Sequence, residues 1–240
     1  AAGCSIIVKP AEQTPLSALA LAELAKRAGV PDGVINILTA DSANSIEIGK
    51  ILCESPVVRH LSFTGSNEVG RILMSQCAPT VKKIALELGG HAPFIVFEDA
   101  DIDAAVTGAM FAKYRNAGQA CVAANRFYVH KKVHDQFVEK FAIATKAIKV
   151  GNGLEQGTTQ GPLIDEQALK KVQKHIADAV SKGAKVVTGG KVAELGGTFF
   201  EPTVLANTNN TMLIACEETF GPVAPVIPFE SDDEVVKLAN

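Results

Sequence analysis

The sequence lacks the cysteine and histidine spacings that mark a zinc site or a disulfide framework. Its five cysteines stand singly, at Cys4, Cys53, Cys77, Cys121 and Cys216, and no C-x-x-C pair occurs. None of the five histidines shows metal-ligand spacing. We therefore expect no metal site, and we expect a reducing, intracellular compartment in which scattered thiols stay free.

Long apolar runs and basic runs are also missing. No apolar stretch approaches the roughly 18 residues of a membrane span, so we expect no membrane insertion. The net charge is −3, and no run of lysine and arginine is long enough to follow a phosphate backbone. A nucleic-acid partner is therefore not expected.

What remains is an ordinary globular profile of 240 residues, of which 47% are hydrophobic and 20% are charged. That length suits one large domain or two small ones. The chain opens at Ala1 without a methionine and stops at Asn240 inside a helical pattern, and no targeting peptide is recognised. We expect it to be an internal piece of a longer protein.

The first part of the chain alternates short apolar strands with helices. Strands are predicted at 5–8, 34–38, 57–63 and 84–86. The first helix is predicted to begin with Thr14 as its N-cap and Pro15 in its first turn. Its predicted apolar face comprises Leu16, Leu19, Ala20 and Leu24. The alternation favours a doubly wound, Rossmann-like half.

The pair Gly89 and Gly90 breaks this pattern, and we place a domain boundary there, between 1–89 and 90–240. Further strands are predicted at 94–97, 127–130, 186–187, 199–204 and 223–229. Helices are predicted to follow Asp101 and Asp165, with each aspartate as an N-cap. The fold class is therefore α/β in both parts.

A turn at Gly65 and Ser66 joins the third strand to a helix. Ser66 at the N-cap, with free N–H groups behind it, makes a site suited to a pyrophosphate. The spacing is not that of a G-x-G-x-x-G fingerprint. It is not a P-loop either, because Arg71 and Ile72 stand where that motif has lysine and serine or threonine. An ordinary strand–turn–helix corner remains the alternative.

Cys121 and Glu87 are the candidate catalytic residues. Cys121 follows small and polar residues that leave room for a substrate, although an isolated cysteine is more commonly buried and structural. Glu87 ends the fourth predicted strand, and α/β sheets bind ligands at the carboxyl ends of parallel strands. A solvated loop carboxylate is the alternative interpretation of Glu87.

Five segments, in order, resemble motifs of the aldehyde dehydrogenase superfamily. They are 9–15 (KPAEQTP), 63–66 (FTGS), 86–90 (LELGG), 116–121 (NAGQAC) and 217–222 (EETFGP). Within the superfamily, residues 89–97 and 113–119 are most similar to succinate-semialdehyde dehydrogenases. The resemblance covers the whole chain. It implies part of a Rossmann-like NAD-binding domain followed by most of an α/β catalytic domain.

The resemblance also implies which residues bind the cofactor. Lys9 and Glu12 would hold the adenosine ribose, and a carboxylate suits the two ribose hydroxyls. Because Glu12 would repel a 2′-phosphate, NAD is favoured over NADP. The other implied contacts are Gly65 and Ser66 at the pyrophosphate, Glu218 at the nicotinamide ribose and Phe220 beside the nicotinamide.

The implied reaction is oxidation of an aldehyde to a carboxylic acid. Cys121 would be the nucleophile, and Glu87 would be the base that activates water to hydrolyse the thioester. The family holds the oxyanion with the backbone N–H of this cysteine and with an asparagine that lies upstream of Lys9. Because the chain lacks that asparagine, we expect the 240 residues alone to be inactive. Ala123 stands where some semialdehyde dehydrogenases have a second cysteine, which excludes a local redox switch.

Arg115 is the candidate residue for substrate specificity. Similar semialdehyde dehydrogenases use an arginine at this place for the distal carboxylate, and a guanidinium pairs well with such a group. A surface or interface salt bridge is the alternative for Arg115. The favoured substrate is succinate semialdehyde, with a place in γ-aminobutyrate catabolism. The alternatives are a glutarate-semialdehyde or broad-specificity aldehyde dehydrogenase, or a non-catalytic dinucleotide-binding fragment.

The resemblance further implies a homodimer or homotetramer. The protein would lie in the mitochondrial matrix of a eukaryote or in the cytoplasm of a bacterium.

Overall fold

The computed structural model describes residues 3–240. The chain divides between Leu88 and Gly89 into two compact units, called unit 1 and unit 2 below. Across the described residues, no helix combines the length and the apolar character needed to cross a bilayer.

Unit 1 alternates strands and helices, as the apolar runs predict. The elements are β1 (Ile6–Val8), α1 (Leu16–Arg27), β2 (Ile35–Ile37), α2 (Ser42–Glu54), β3 (His60–Thr64), α3 (Asn67–Cys77) and β4 (Lys83–Glu87). β1 pairs with β2 and β3 pairs with β4, both in parallel. The strands therefore form two separate pairs instead of one doubly wound sheet. Alternation favours parallel strands joined by helices, but it does not decide whether both pairs share one ladder.

The helix starts of unit 1 were predicted with mixed success. Ser66 is the N-cap of α3, as predicted, and its hydroxyl accepts a hydrogen bond from the Val69 N–H at 3.3 Å. The prediction for α1 is wrong by one residue, because Pro15 and not Thr14 occupies the N-cap position. No residue of α1 is buried, so its leucine face packs into no core within the structure.

Unit 2 contains a five-stranded mixed sheet with helices against it. Its elements are β5 (Pro93–Val96), α4 (Ile102–Tyr114), β6 (Arg126–His130), α5 (Lys131–Lys146), α6 (Glu166–Ser181), β7 (Lys185–Thr188), β8 (Thr203–Ala206), α7 (Leu213–Cys216), β9 (Val223–Phe229) and α8 (Asp232–Ala239). The strand order is β5-β6-β9-β8-β7, with only β7 antiparallel to its neighbour. Asp101 and Asp165 cap α4 and α6, as predicted.

The sheet of unit 2 is buried on both faces. Successive residues of a strand point to opposite faces. In β8, Val204 joins the cluster that contains Phe127 and Phe141, whereas Leu205 joins the cluster around Val172. The strand predicted at 199–204 is wrong at its start, since β8 begins at Thr203, directly after Pro202. Proline has no N–H to donate to a ladder, which accounts for the later start.

Candidate functional site

Unit 1 brings Gly65, Ser66 and Glu87 together at the carboxyl ends of β3 and β4. Thr64 is paired with Glu87 in the parallel ladder, and the Gly65 N–H donates to the Glu87 carbonyl at 3.0 Å. The Glu87 side chain is exposed. Glu87 and the start of α3 therefore lie next to one another at this edge of the strand pair.

Lys9 and Glu12 also lie together in unit 1, at the start of α2. The Lys9 Nζ is 3.6 Å from Glu12 Oε2 and donates to Ser45 Oγ at 3.2 Å. Ser42 Oγ donates to Glu12 Oε1 at 2.9 Å. Hydrogen bonds from the Glu12 backbone and from Ser42 hold the pKa of the Glu12 carboxyl below its ordinary value. Glu12 is therefore an ionised acceptor at neutral pH.

Unit 2 presents Cys121 after a short left-handed turn. Asn116, Ala117 and Gly118 have φ values of 53°, 56° and 70°. Residues other than glycine rarely adopt this left-handed conformation, because each of them adds about 1 kcal/mol or more of backbone strain. At Gly118 a Cβ would overlap the carbonyl of Gly221, so only glycine allows the turn to pack this closely against the 217–222 loop. Cys121 itself is exposed.

The glycine pair at the start of unit 2 meets both of these loops. The Gly90 N–H donates to Glu218 Oε1 at 3.2 Å, and a Cβ at Gly89 would overlap the Glu218 carboxylate. On Gly90, a Cβ would lie 2.9 Å from the Cys121 carbonyl oxygen. Three segments distant in sequence therefore converge: the glycine pair, the Cys121 turn and the Glu218 loop.

Phe220 and Arg115 are the other predicted site residues of unit 2. Phe220 has a φ of 52° and lies partly exposed, two residues after Glu218. Arg115 is exposed, with its guanidinium 5.6 Å from the centre of the Phe111 ring. Within residues 3–240 it forms no salt bridge with a carboxylate. Its guanidinium is thus available to an external anion.

A cleft in unit 2 lies away from these loops. It has a volume of about 570 Å³ and is lined by residues such as Thr145, Thr188 and Glu201. None of the predicted site residues lines it. The described part of the chain also contains no group of three or more histidine, cysteine or acidic side chains placed to hold a metal. The candidate catalytic and binding residues of unit 2 therefore lie on the converging loops and not in this cleft.

The model of the aldehyde dehydrogenase family matches residues 1–240. The chain belongs to the aldehyde dehydrogenase family.

Three members of this aldehyde dehydrogenase family are similar along the whole chain. A glutarate-semialdehyde dehydrogenase of Pseudomonas aeruginosa is 58% identical over 240 residues, which are 49% of its length. A 3-sulfolactaldehyde dehydrogenase of Pseudomonas putida is 57% identical and covered to 49%. The crystal structure of a succinate-semialdehyde dehydrogenase from Burkholderia pseudomallei superposes with a TM-score of 0.97 at 59% identity. All of this chain and 49% of that one are covered. The chain thus has the α/β aldehyde dehydrogenase fold and spans about half the length of these relatives.

Two buried polar residues near the converging loops were not predicted from the sequence. His175 of α6 is fully buried, with its ring nitrogens 3.1 Å from Thr219 Oγ1 and 3.4 Å from Glu217 Oε2. Burial lowers the pKa of His175. Lys113 of α4 is also fully buried. Its signal in the sequence is a lysine at helical spacing from the apolar residues Val106 and Ala109.

Proposed function

We propose that the protein oxidises an aldehyde that carries a distal acid group, with NAD as hydride acceptor and Cys121 as nucleophile. Succinate semialdehyde, giving succinate, is the favoured substrate. The observation that carries the proposal is the strained, exposed Cys121 turn of unit 2, packed against Gly90. Functional residues are often held in such sparsely populated backbone conformations.

Cys121 would act as the thiolate, which is the nucleophilic form of a cysteine. Its sulfur bonds to the aldehyde carbon, and the N–H of Cys121 donates to the oxygen that becomes negative. Loss of a hydride from that carbon leaves a thioester on Cys121. Glu87 then accepts a proton from water, the resulting hydroxide attacks the thioester, and the C–S bond breaks. The acid leaves and the thiolate is restored.

The residues present fit a dinucleotide with a free 2′-hydroxyl. In unit 1, the ionised Glu12 offers acceptors for two ribose hydroxyls, and its charge opposes a 2′-phosphate. NAD is therefore proposed over NADP. In unit 2, Glu218 would bind the nicotinamide ribose, and the exposed edge of Phe220 would lie beside the nicotinamide. Bound NAD supplies the hydride acceptor. Unit 1 is then part of the dinucleotide-binding domain, and unit 2 is most of the catalytic domain.

Arg115 is proposed to bind the distal acid group of the substrate. Its guanidinium is exposed and held by no carboxylate within the described residues, so a surface salt bridge inside this chain is not observed, whereas an interface salt bridge stays an untested alternative. The names of the three similar proteins specify succinate semialdehyde, glutarate semialdehyde and 3-sulfolactaldehyde. Each of these aldehydes carries a carboxylate or a sulfonate. An arginine suits both groups, because its planar fork donates two parallel hydrogen bonds.

Glutarate semialdehyde is the second candidate substrate, and the 58% identical relative of that name favours it. A non-catalytic dinucleotide-binding protein is the alternative from a different class. By family resemblance we also propose a homodimer or homotetramer, which light scattering on the purified full-length protein would test.

Replacement of the nucleophile separates an enzyme from a binding protein. In the full-length protein, Cys121→Ala should reduce NADH formation from succinate semialdehyde by about 10⁴-fold or more, because no thioester can form. It should leave NAD affinity within about twofold. Cys216→Ala, at another exposed cysteine, is the matched control and should retain full activity. Equal turnover by the Cys121→Ala and Cys216→Ala variants would refute the proposed mechanism.

Replacement of Arg115 tests the substrate class. Arg115→Ala should lower kcat/KM for succinate and glutarate semialdehydes by about 10- to 100-fold, the range expected for one charged hydrogen-bonded pair. An uncharged aldehyde such as butanal should change by less than about threefold. Arg27→Ala removes an exposed arginine that pairs with Glu23 and serves as the control. A uniform loss for charged and uncharged aldehydes would show that Arg115 does not select the acid group.

A further inference from the structure

Lys113 is a lysine that packing does not explain. It has no exposed surface, and its Nζ donates to Asn125 Oδ1 at 3.1 Å. Burial lowers the pKa of Lys113 to about 7, while the negative charge of Glu218 acts in the opposite direction. A methionine of similar length would fill the same space without the cost of removing an amine from water.

Asn125 connects Lys113 to the glycine pair. Asn125 is also buried, and its Nδ2 donates to the carbonyls of Gly90 at 3.4 Å and Ala123 at 3.3 Å. An asparagine side chain has one oxygen that accepts and one nitrogen that donates. A lysine can only donate. Lys113 therefore fixes the oxygen of Asn125 toward itself and leaves the nitrogen facing the Gly90 carbonyl.

Gly90 links the Asn125 side chain to the converging loops. Its carbonyl accepts from Asn125, and its N–H donates to Glu218 Oε1 at 3.2 Å. Its Cα lies so close to the Cys121 carbonyl that an added Cβ would stand 2.9 Å away. A displacement of Gly90 would therefore disturb the Glu218 carboxylate and the Cys121 turn together.

We propose that Lys113 is a positioning residue for Glu218, acting through Asn125 and Gly90 to hold the carboxylate that meets the nicotinamide ribose. The inference rests on the cofactor role proposed for Glu218. Lys113 contacts no substrate or cofactor in this scheme. Its contribution lies in the hydrogen-bonded chain and in the attraction between its charge and Glu218.

Comparison of two ligands distinguishes positioning from general structural support. NAD carries the nicotinamide ribose, whereas ADP carries only the adenosine half. In the full-length protein, Lys113→Met should weaken NAD binding about tenfold, the size expected when a hydrogen bond to a charged group is lost. ADP affinity should stay within about twofold. Isothermal titration calorimetry at pH 6.5 measures both dissociation constants.

Two further variants separate the hydrogen-bonded chain from simple loss of stability. Val106→Ala shortens a side chain on the same buried face of α4 but leaves the hydrogen bonds that link Lys113, Asn125 and Gly90 in place. It should leave the affinities for NAD and ADP unchanged. Asn125→Asp keeps an acceptor for Lys113 but removes the donor to the Gly90 carbonyl. It should therefore weaken the binding of NAD and leave the binding of ADP unchanged. This variant also replaces Lys113→Met as the test if the latter fails to fold.

Wild-type affinity for NAD in both the Lys113 and Asn125 variants would overturn the inference and leave the proposed function standing. An equal loss for ADP and NAD would also overturn it, because damage would then be general. Failure of the wild-type protein to bind NAD would overturn the proposed function and this inference with it.

Discussion

The two units differ in how well their candidate functional residues are supported by buried packing. In unit 2, both faces of a five-stranded sheet are covered, and the loops that carry Cys121 and Glu218 rest on buried polar groups. In unit 1, two separate strand pairs carry Glu87 and the Gly65 turn, and no residue of α1 is buried. Exposed leucines and isoleucines occur along α1, α2 and both strands of the first pair.

This difference bears on how each unit can perform chemistry. Catalytic groups require a rigid position, because misplacement by about 1 Å reduces the rate strongly. Unit 2 provides that rigidity itself, through contacts such as Gly90 with Glu218 and Gly118 with Gly221. Within the described residues, the position of Glu87 depends on one parallel strand pair. In this part of the chain we expect mutations to act locally and weakly in unit 1, and through a shared core in unit 2.

The largest difference should appear in the cores. Phe141 is fully buried in unit 2, where its ring lies 5.2–5.8 Å from the rings of Phe137, Phe127 and Tyr114. Phe141→Ala should lower the free energy of unfolding by about 3–5 kcal/mol. Leu24→Ala, on the exposed face of α1, should change it by less than about 0.5 kcal/mol. Urea unfolding of the 240-residue chain, for which this exposure is seen, measures both. If Leu24→Ala proved as costly as Phe141→Ala there, the α1 face would be packed against other residues and the comparison would fail.

The titration of Lys113 should make the stability of unit 2 depend on pH. The pKa of Lys113 is about 7 in the fold, below its ordinary value of about 10.4. Between these values the unfolded chain binds the proton and the folded chain does not, so stability rises with pH. The gain is about 1.4 kcal/mol per pH unit, or about 3 kcal/mol from pH 7 to 9.5. Below pH 7 both states are protonated and the slope from this group vanishes.

Subtraction isolates this effect from other titrating groups. Urea unfolding of wild type and Lys113→Met at pH 6, 7, 8 and 9.5 gives the difference in free energy at each pH. That difference should shift in favour of the wild type above pH 7. A difference independent of pH would mean that Lys113 keeps its ordinary pKa and reaches water.

Features decided by neighbouring residues could be read from the sequence. Asp101, Asp165 and Ser66 were all predicted as N-caps, and each accepts a hydrogen bond from its own helix. Capping needs only residues within one turn, so local pattern suffices. Helix and strand order followed from apolar spacing for the same reason.

Features decided by distant contacts could not be read in this way. Ala117 adopts a left-handed conformation in a turn whose next residue, Gly118, packs against Gly221, which lies far along the chain. The burial of Lys113 contradicts the usual exposure of lysine, and only the structure reveals Asn125 beside it. Cys121 and Glu87 gave weak local signals, and their proposed roles depended on the resemblance. Their catalytic roles stay predictions.

The smallest expected effect concerns Ser66, where capping and ligand binding can be separated. Ser66→Ala removes the acceptor for the Val69 N–H and should cost about 1 kcal/mol. Ser66→Gly should cost only a few tenths of a kcal/mol, because glycine is a tolerated N-cap. If the Ser66 hydroxyl also contacts the pyrophosphate, both variants should weaken NAD binding by a similar factor of about 5. If it is only a cap, NAD affinity should follow stability and recover in Ser66→Gly. Calorimetric titration beside thermal unfolding therefore decides whether this helix start in the less buried unit serves the cofactor or only its own fold.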